Sequence, residues 1–266
     1  MAGLVDTHCH LDAARFASRL TALARQARMA GVGGIISAGV SPADWPAQFQ
    51  AGQAFSDQGV RVWHVIGTHP WWAKKVDVEK ALSALKAVLQ NPSHAVVGIG
   101  EIGLDFATTE IDAERQNALF TGQLQVAYDH GLPVVLHERK SADRLLYWLR
   151  RRPHCGGVVH GFSGSLQQAH AFIEQGFAIG VGNAVTHPGA HRLHRMIKAL
   201  PQEALLLETD APNQPGHHHR GAYSRPAHLG ENLRALAIIR QTDAQQLAAT
   251  ITENAVRVFG IHTEAQ

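Results

Sequence analysis

Eight short apolar runs alternate with longer helical patterns along the chain. They are Leu4–His10, Gly34–Ala38, Val62–Thr68, Ala95–Leu104, Pro133–Glu138, Gly157–Phe162, Ala178–Val181 and Leu205–Asp210. Each run is continuous rather than alternating in polarity, as a parallel strand covered by helices should be. Between the runs the spacing turns helical. Phe120, Leu124, Ala127 and Tyr128 recur at one face of a helix, Gly131 offers its stop, and Pro133 opens the next strand. Two further helical stretches, Leu229–Arg240 and Ala244–Phe259, close the pattern. Repeated strand–helix alternation predicts an α/β fold, a (β/α)8 TIM barrel; an open doubly wound sheet is the alternative, since counting strands does not establish closure. No Gly- or Pro-rich linker, low-complexity tract or further repeat breaks the alternation, so residues 1–266 are read as a single domain.

With 45% hydrophobic and 17% charged residues, a chain of this length can bury a large core, and global disorder is excluded. A formal charge of +2 argues against a protein that coats nucleic acid by charge alone. Histidine is the outlier, with 18 copies, and imidazole is both a common metal ligand and a proton shuttle. The two cysteines, Cys9 and Cys155, fall near opposite ends of the expected barrel, which predicts two free thiols. Met1 runs almost directly into Val5-Asp6-Thr7-His8, and no apolar run is long enough for a bilayer. The expectation is a cytoplasmic protein, monomeric and without a membrane partner.

Barrel active sites lie at the C-terminal ends of the strands. Those ends carry His8 and His10, His69, Glu101 and Asp105, His137 and Arg139, His160, and Asp210. The strand period of two turns His8 and His10 to one face, about 7 Å apart at Cα. Alone, His-x-His is weak, and each other histidine would more often be a hydrogen-bonded core residue. Glu101 follows an apolar run between Gly100 and Gly103, so it is carried into a buried region where a cation, or a buried Arg such as Arg139, must balance it. Taken together, six polar side chains at the same end of the strands favour metal. His8, His10, Glu101, His137, His160 and Asp210 suit a pair of Zn2+, Mn2+ or Fe2+ ions better than the oxygen-rich cage preferred by Mg2+ or Ca2+. Two such ions would activate a water for attack at phosphorus or carbon; Glu101 would bridge them and Asp210 would accept the water proton.

These residues sit in runs that resemble the TatD-related deoxyribonuclease family, within the wider amidohydrolase-like barrels. The resemblance rests on Val5-Asp6-Thr7-His8-Cys9-His10-Leu11-Asp12, Gly67-Thr68-His69-Pro70 and Gly98-Ile99-Gly100-Glu101-Ile102-Gly103-Leu104-Asp105. It continues in Gln116…Phe120…Gln123-Leu124, Leu132-Pro133-Val134-Val135-Leu136-His137-Glu138-Arg139, His160-Gly161-Phe162-Ser163-Gly164, Glu208-Thr209-Asp210-Ala211-Pro212 and Asn254…Phe259-Gly260. It implies a metal-dependent hydrolase of DNA phosphodiesters. It places the same six residues as metal ligands, with His69 and Arg139 beside them on the substrate phosphate. The sequence departs from the family pattern at Glu138, in Gly221–Glu231, which keeps Arg225 and Pro226, and in the run His217-His218-His219; these departures bear on substrate rather than on fold.

Other readings stay open at this level. A cyclic amidase or lactonase would be expected to bridge its metals with a lysine on the fourth strand, where this chain has Glu101. A phosphatase of small phosphoesters shares the metal chemistry, and a non-catalytic metal-binding module is the alternative outside enzymes. The densest basic cluster, Arg150-Arg151-Arg152, precedes the sixth strand at the bottom of the barrel, where it reads as a solvated helix end. Lys74, Lys75, Arg139, Lys140, Arg220 and Arg225 are the cationic candidates near the mouth. The triple histidine reads as a flexible surface loop rather than a ligand set, with a phosphate contact open to it from its place near the barrel mouth.

Overall fold

The computed structural model describes residues 3–107 and 112–263. Its strands are β1 (Leu4–Cys9), β2 (Val32–Ala38), β3 (Arg61–Ile66), β4 (Val96–Asp105), β5 (Val134–Arg139), β6 (Gly157–Val159), β7 (Phe177–Val181) and β8 (Leu205–Leu207). They pair in parallel and in sequence order. The two ends of the sheet then meet. Cys9 and Ala211 form a parallel bridge, the His10 amide donates to the Ala211 carbonyl at 2.8 Å, and the Asp210 amide donates to the His8 carbonyl at 2.9 Å. The open-sheet alternative is therefore wrong, and the fold is a (β/α)8 barrel.

Helices α1 (Leu20–Met29), α2 (Trp45–Ser56), α3 (Val78–Leu89), α4 (Ala113–Asp129), α5 (Ala142–Leu149), α6 (Leu166–Glu174), α7 (His191–Ala199), α8 (Leu229–Arg240) and α9 (Ala244–Phe259) cover the strands. Their starts follow from local chemistry. Asp112 accepts from the Arg115 amide, Ser165 and Gln168 form a reciprocal capping box, and Asp243 accepts from the Gln245 and Gln246 amides. Gly131 takes the left-handed conformation (φ 65°) that ends the α4 turn. On α4 the expected face is buried at Phe120, Leu124 and Ala127, but Tyr128 stands 47% exposed. Its place is taken by Gln116 and Gln123, which are buried because each amide side chain pairs with strand-end backbone. Gln123 bonds the Thr68 amide (2.7 Å) and carbonyl (3.0 Å), and Gln116 bonds those of Asp105 (2.9 and 3.1 Å).

One apolar layer lies between helices and sheet, including Ile35, Ile99, Leu136, Val159, Leu205 and Leu207. A second, with Val5, Ile36, Val65, Val135, Val158, Ala178 and Leu206, fills the barrel interior, and Phe259 and Ile261 pack into it. Two residues beyond Val135, Val158 and Leu206 stand His137, His160 and Glu208, so the side-chain period carries the interior upward from apolar to polar. That change of polarity marks the site.

Candidate metal centre

Glu101 is the hub. It is 3% exposed, and its two carboxylate oxygens face different groups of imidazoles. Oε2 lies 3.3 Å from His8 Nε2 and 3.5 Å from His10 Nε2. Oε1 lies 2.6 Å from His137 Nδ1, 2.9 Å from His160 Nε2 and 3.2 Å from His69 Nε2. Asp210 joins the first group, its Oδ1 lying 3.3 Å from His10 Nε2 and 3.7 Å from His8 Nε2. The six strand-end residues expected to converge do so, from five different strands or the turns that follow them, and His69 comes with them. Glu101 does not pair with Arg139.

The outer nitrogen of each ring decides what the inner one can do. His10 Nδ1 donates to the Ala38 carbonyl at 3.0 Å, His137 Nε2 to Asp105 Oδ2 at 3.2 Å, and His160 Nδ1 faces Glu208 Oε1 at 3.6 Å. With the outer proton of His10 and His137 held there, the inner nitrogen of the neutral ring presents a lone pair to the centre, the tautomer a cation requires, and the nearby Glu208 carboxylate favours the same tautomer at His160. Three donor groups, His8/Glu101/His160, His8/His10/Asp210 and His69/Glu101/His137, are each compact enough to hold an ion. His69 differs from the rest in one respect. Its Nδ1 accepts from the Trp71 amide at 3.2 Å, so the neutral ring carries its proton on Nε2, pointing inward. His69 thus turns a hydrogen-bond donor into the site, where its Nε2 lies 3.2 Å from Glu101 Oε1.

The electrostatics follow from this packing. Burial pushes the Glu101 carboxyl up, yet the imidazoles of His160, His69 and His137 outweigh it and hold the group well below the ordinary range. Asp210 is likewise depressed: burial opposes ionisation, but His10, His160 and His8 favour it. Burial works against a charged His10, but Asp210 and Glu101 raise it to about 9. Burial, helped by the nearby His137 and His10, outweighs the pull of Glu101 on His69 and lowers it to about 4, which keeps the ring neutral. His8 is lowered by burial and by the nearby His160, whose ring stacks on it at 3.9 Å.

A further shell of buried polar groups fixes these donors. Asp6 accepts from the Thr209 amide (2.9 Å) and hydroxyl (2.6 Å), tying β1 to the end of β8. Asn183 donates to the Thr209 carbonyl (2.7 Å), and Asn232 donates to Asn183 Oδ1 (2.7 Å) and the Glu208 carbonyl (2.8 Å). Glu208 Oε1 accepts from the Gly161 amide at 2.5 Å, just past His160. Asp105 accepts from Trp71 Nε1 (2.7 Å) as well as facing His137. Sequence reasoning missed the roles of Asp6, Gln116, Gln123, Asn183, Asn232 and Trp71.

Around the rim, Arg139 lies 3.7 Å from Asp105 Oδ2 with its side chain 56% exposed, so the guanidinium reaches the mouth on the same side as His137. Glu138 accepts from the Ser141 amide at 2.8 Å and helps start α5. It also lines an open cleft of about 550 Å³ with Phe106, Lys140, Arg144 and Ser163. Arg225 turns away, packing over Tyr223 and reaching Gln26 on α1. Arg220 bonds His187, and Lys75 sits 4.8 Å from the Trp72 ring centroid. His217–His219 form a short 3-10 turn rather than a loose loop, held by Glu231 on His219 and by His228 stacked on the same ring at 3.6 Å. None of the three imidazoles joins the donor groups described above. Cys9 is buried and turned from the centre toward the Ala211 carbonyl, Cys155 is exposed, and both thiols are free. Among the described residues no helix is long and apolar enough to cross a membrane.

Residues 5–260 match the model of the family described as TatD related DNase. The chain is 37% identical over 259 residues to an uncharacterized metal-dependent hydrolase, YjjV, of Escherichia coli K12, covering 97% of this chain and 98% of that one. The crystal structure of that TatD homologue superposes with a TM-score of 0.89 at 36% identity, over 97% and 98% of the two chains. A protein named 3'-5' ssDNA/RNA exonuclease TatD, from Rahnella sp., is 33% identical over 267 residues, covering 95% of this chain and 96% of its own length. With a match along nearly its whole length and this donor set at the strand ends, the chain is a hydrolase belonging to the TatD-related DNase family.

Proposed function

We propose that the protein hydrolyses DNA phosphodiester bonds with two divalent ions per subunit, one held by His8, His10, Glu101 and Asp210 and the other by Glu101, His137 and His160. The carrying observation is the division of labour at Glu101, whose two oxygens each face their own set of imidazoles. Zn2+, Mn2+ and Fe2+ are the ions best matched to this nitrogen-rich set, with Mg2+ less suited. Bound there, they would lower the pKa of a water and offset the charge that builds on phosphorus during displacement.

The remaining chemistry belongs to side chains. Asp210 is held ionised, so its carboxylate can take the proton of the water as oxygen adds to phosphorus. The ester P–O bond then breaks, and the leaving oxygen takes up the proton that Asp210 removed from the water. His69 Nε2–H and the exposed Arg139 fork donate to the non-bridging phosphate oxygens. The buried Gln116, Gln123 and Asn183 amides keep the strand ends from shifting as charge moves.

The test is turnover of metal-stripped protein on single-stranded DNA, RNA and p-nitrophenyl phosphate, with each ion added back. Metal-restored cleavage of DNA is expected. Hydrolysis of the small ester without DNA would establish the phosphatase reading instead, and metal binding without any turnover would leave a binding module.

A further inference from the structure

Trp71 is an anomaly on this surface. The residue is 59% exposed, yet both of its N–H groups are committed inward. The backbone amide donates to His69 Nδ1 at 3.2 Å, and the indole Nε1–H donates to the buried Asp105 carboxylate at 2.7 Å. The ring meets His69 edge-on at 4.6 Å between centroids and lies 6.2 Å from His137. Pro70 opens the short 3-10 turn Pro70–Trp72 and sets the backbone that presents the ring. A tryptophan pinned at its polar edge but bare on its face is a rigid aromatic plate beside the catalytic imidazoles.

We propose that the exposed face of Trp71 is a nucleobase subsite, on which the base next to the scissile phosphate stacks. This rests on the nuclease reading and adds what that reading lacks, a recognition element for the nucleoside. Three features carry it. The plate is preorganised, so little rotamer freedom is lost when a base settles on it. It adjoins His69 and, through Asp105, Arg139, the two residues assigned to the phosphate. One nucleoside therefore spans from the donor cluster to the ring. Stacking on an indole also accepts any base, because every base has a π face, which suits a nuclease reading no sequence. The competing role for Trp71 is purely positional: it sets the His69 tautomer and orients Asp105, and it would do so for any substrate.

Two variants separate the roles. Trp71→Leu removes both the plate and the indole N–H; Trp71→Phe removes the N–H but keeps a plate. Each is assayed on a single-stranded oligodeoxynucleotide and on the same oligomer with an abasic residue at the scissile position, using metal-loaded protein. A stacked base is worth about 1–3 kcal/mol by truncation. Trp71→Leu should therefore raise KM at least about 5-fold more on the base-bearing oligomer than on the abasic one. Trp71→Phe should recover most of that difference while sharing the kcat loss from the missing Asp105 bond. As a check that does not depend on the Leu variant folding, deoxythymidine monophosphate should quench wild-type indole fluorescence, and that quench should be lost in Trp71→Phe. Equal KM changes on both oligomers, or a quench unchanged in Trp71→Phe, would overturn the subsite and leave Trp71 a positioning residue with the nuclease reading intact. A metal-loaded wild type that cleaves neither oligomer would remove the nuclease reading, and the subsite with it.

Discussion

Asp105→Asn tests whether the shell behind the donors tunes the centre or merely supports the fold. The substitution keeps the shape and removes one negative charge from a fully buried position. Oδ2 serves Trp71 Nε1 at 2.7 Å, His137 Nε2 at 3.2 Å and Arg139 Nη1 at 3.7 Å, whereas Oδ1 serves the Ala107 amide at 2.9 Å. An asparagine can place its oxygen in only one of the two positions. With the oxygen toward His137, the new NH2 confronts the Ala107 N–H; turned the other way, the Trp71 and His137 donors lose their acceptor. Either choice leaves a buried donor unpaired, at a cost of about 1–3 kcal/mol. At roughly 2–4 °C per kcal/mol for a chain near this size, Tm should fall by somewhere between 2 and 12 °C. The functional loss has a separate origin. Without the carboxylate behind it, His137 is a poorer donor, and loss of such a partner typically lowers metal affinity or activity by about 10–100-fold. Metal content after dialysis against a graded chelator, read with kcat/KM on a phosphodiester, measures this directly. A variant that melts lower but binds metal and turns over like the wild type would refute the reasoning and make Asp105 a structural residue only.

Asp210→Asn should fold and lose essentially all turnover, because the amide cannot take the water proton; near-normal kcat in the metal-loaded variant would remove Asp210 from the mechanism. Arg139→Lys should retain metal and Tm but lose about 10-fold or more in kcat/KM on phosphodiesters, and unimpaired cleavage would return Arg139 to its ion pair with Asp105. His10 is raised to about 9 in the metal-free protein, above its ordinary value near 6.5. The stabilisation it contributes is complete below about 6.5 and is lost as pH rises through 9, so metal binding between these values should release its proton. Calorimetry in buffers of different ionisation enthalpy reads that release at pH 7.5, and buffer-independent heats would contradict it. Under native conditions a thiol reagent should label Cys155 alone, with Cys9 reacting only after unfolding; rapid labelling of both would contradict the burial of Cys9.

The strands were legible because a strand covered on both faces must be apolar throughout, and each such run here ends in a turn residue or a charge. The donors were legible for the same reason in reverse: His8, Glu101, His137 and His160 each interrupt or end a run that would otherwise stay apolar, and burial of so many polar groups needs a shared cause. Closure was not legible. It rests on contacts of Cys9 and His10 with Ala211, some two hundred residues away, and no local period encodes a contact at that separation. The supporting amides were hidden for a related reason. Gln116 and Gln123 occupy α4 at helical spacing, where a polar residue is read as solvent-facing, and only the Asp105 and Thr68 backbones explain why both are buried. Tyr128 shows the converse error, since an apolar period does not say where the covered face stops.

Histidine chemistry shows where a residue list ends and a structure begins. By position alone His69 belongs with the other strand-end imidazoles, and its inward nitrogen is as close to Glu101 as theirs. What separates it is the group behind it. His10, His137 and His160 face a carbonyl or carboxylate, so in the neutral ring the proton belongs outside and the lone pair points in. His69 is backed by an N–H, so the lone pair sits outside and the proton points in. The same side chain is thereby shaped to turn a lone pair inward in those three places and a proton inward at position 69, and the residue that makes the difference is Trp71. Its backbone fixes the proton that would meet a phosphate oxygen, and its indole holds the carboxylate behind His137. Replacing the side chain at position 71 leaves the first of these bonds available and removes the second, so loss of the indole should disturb the metal donors more than the phosphate contact.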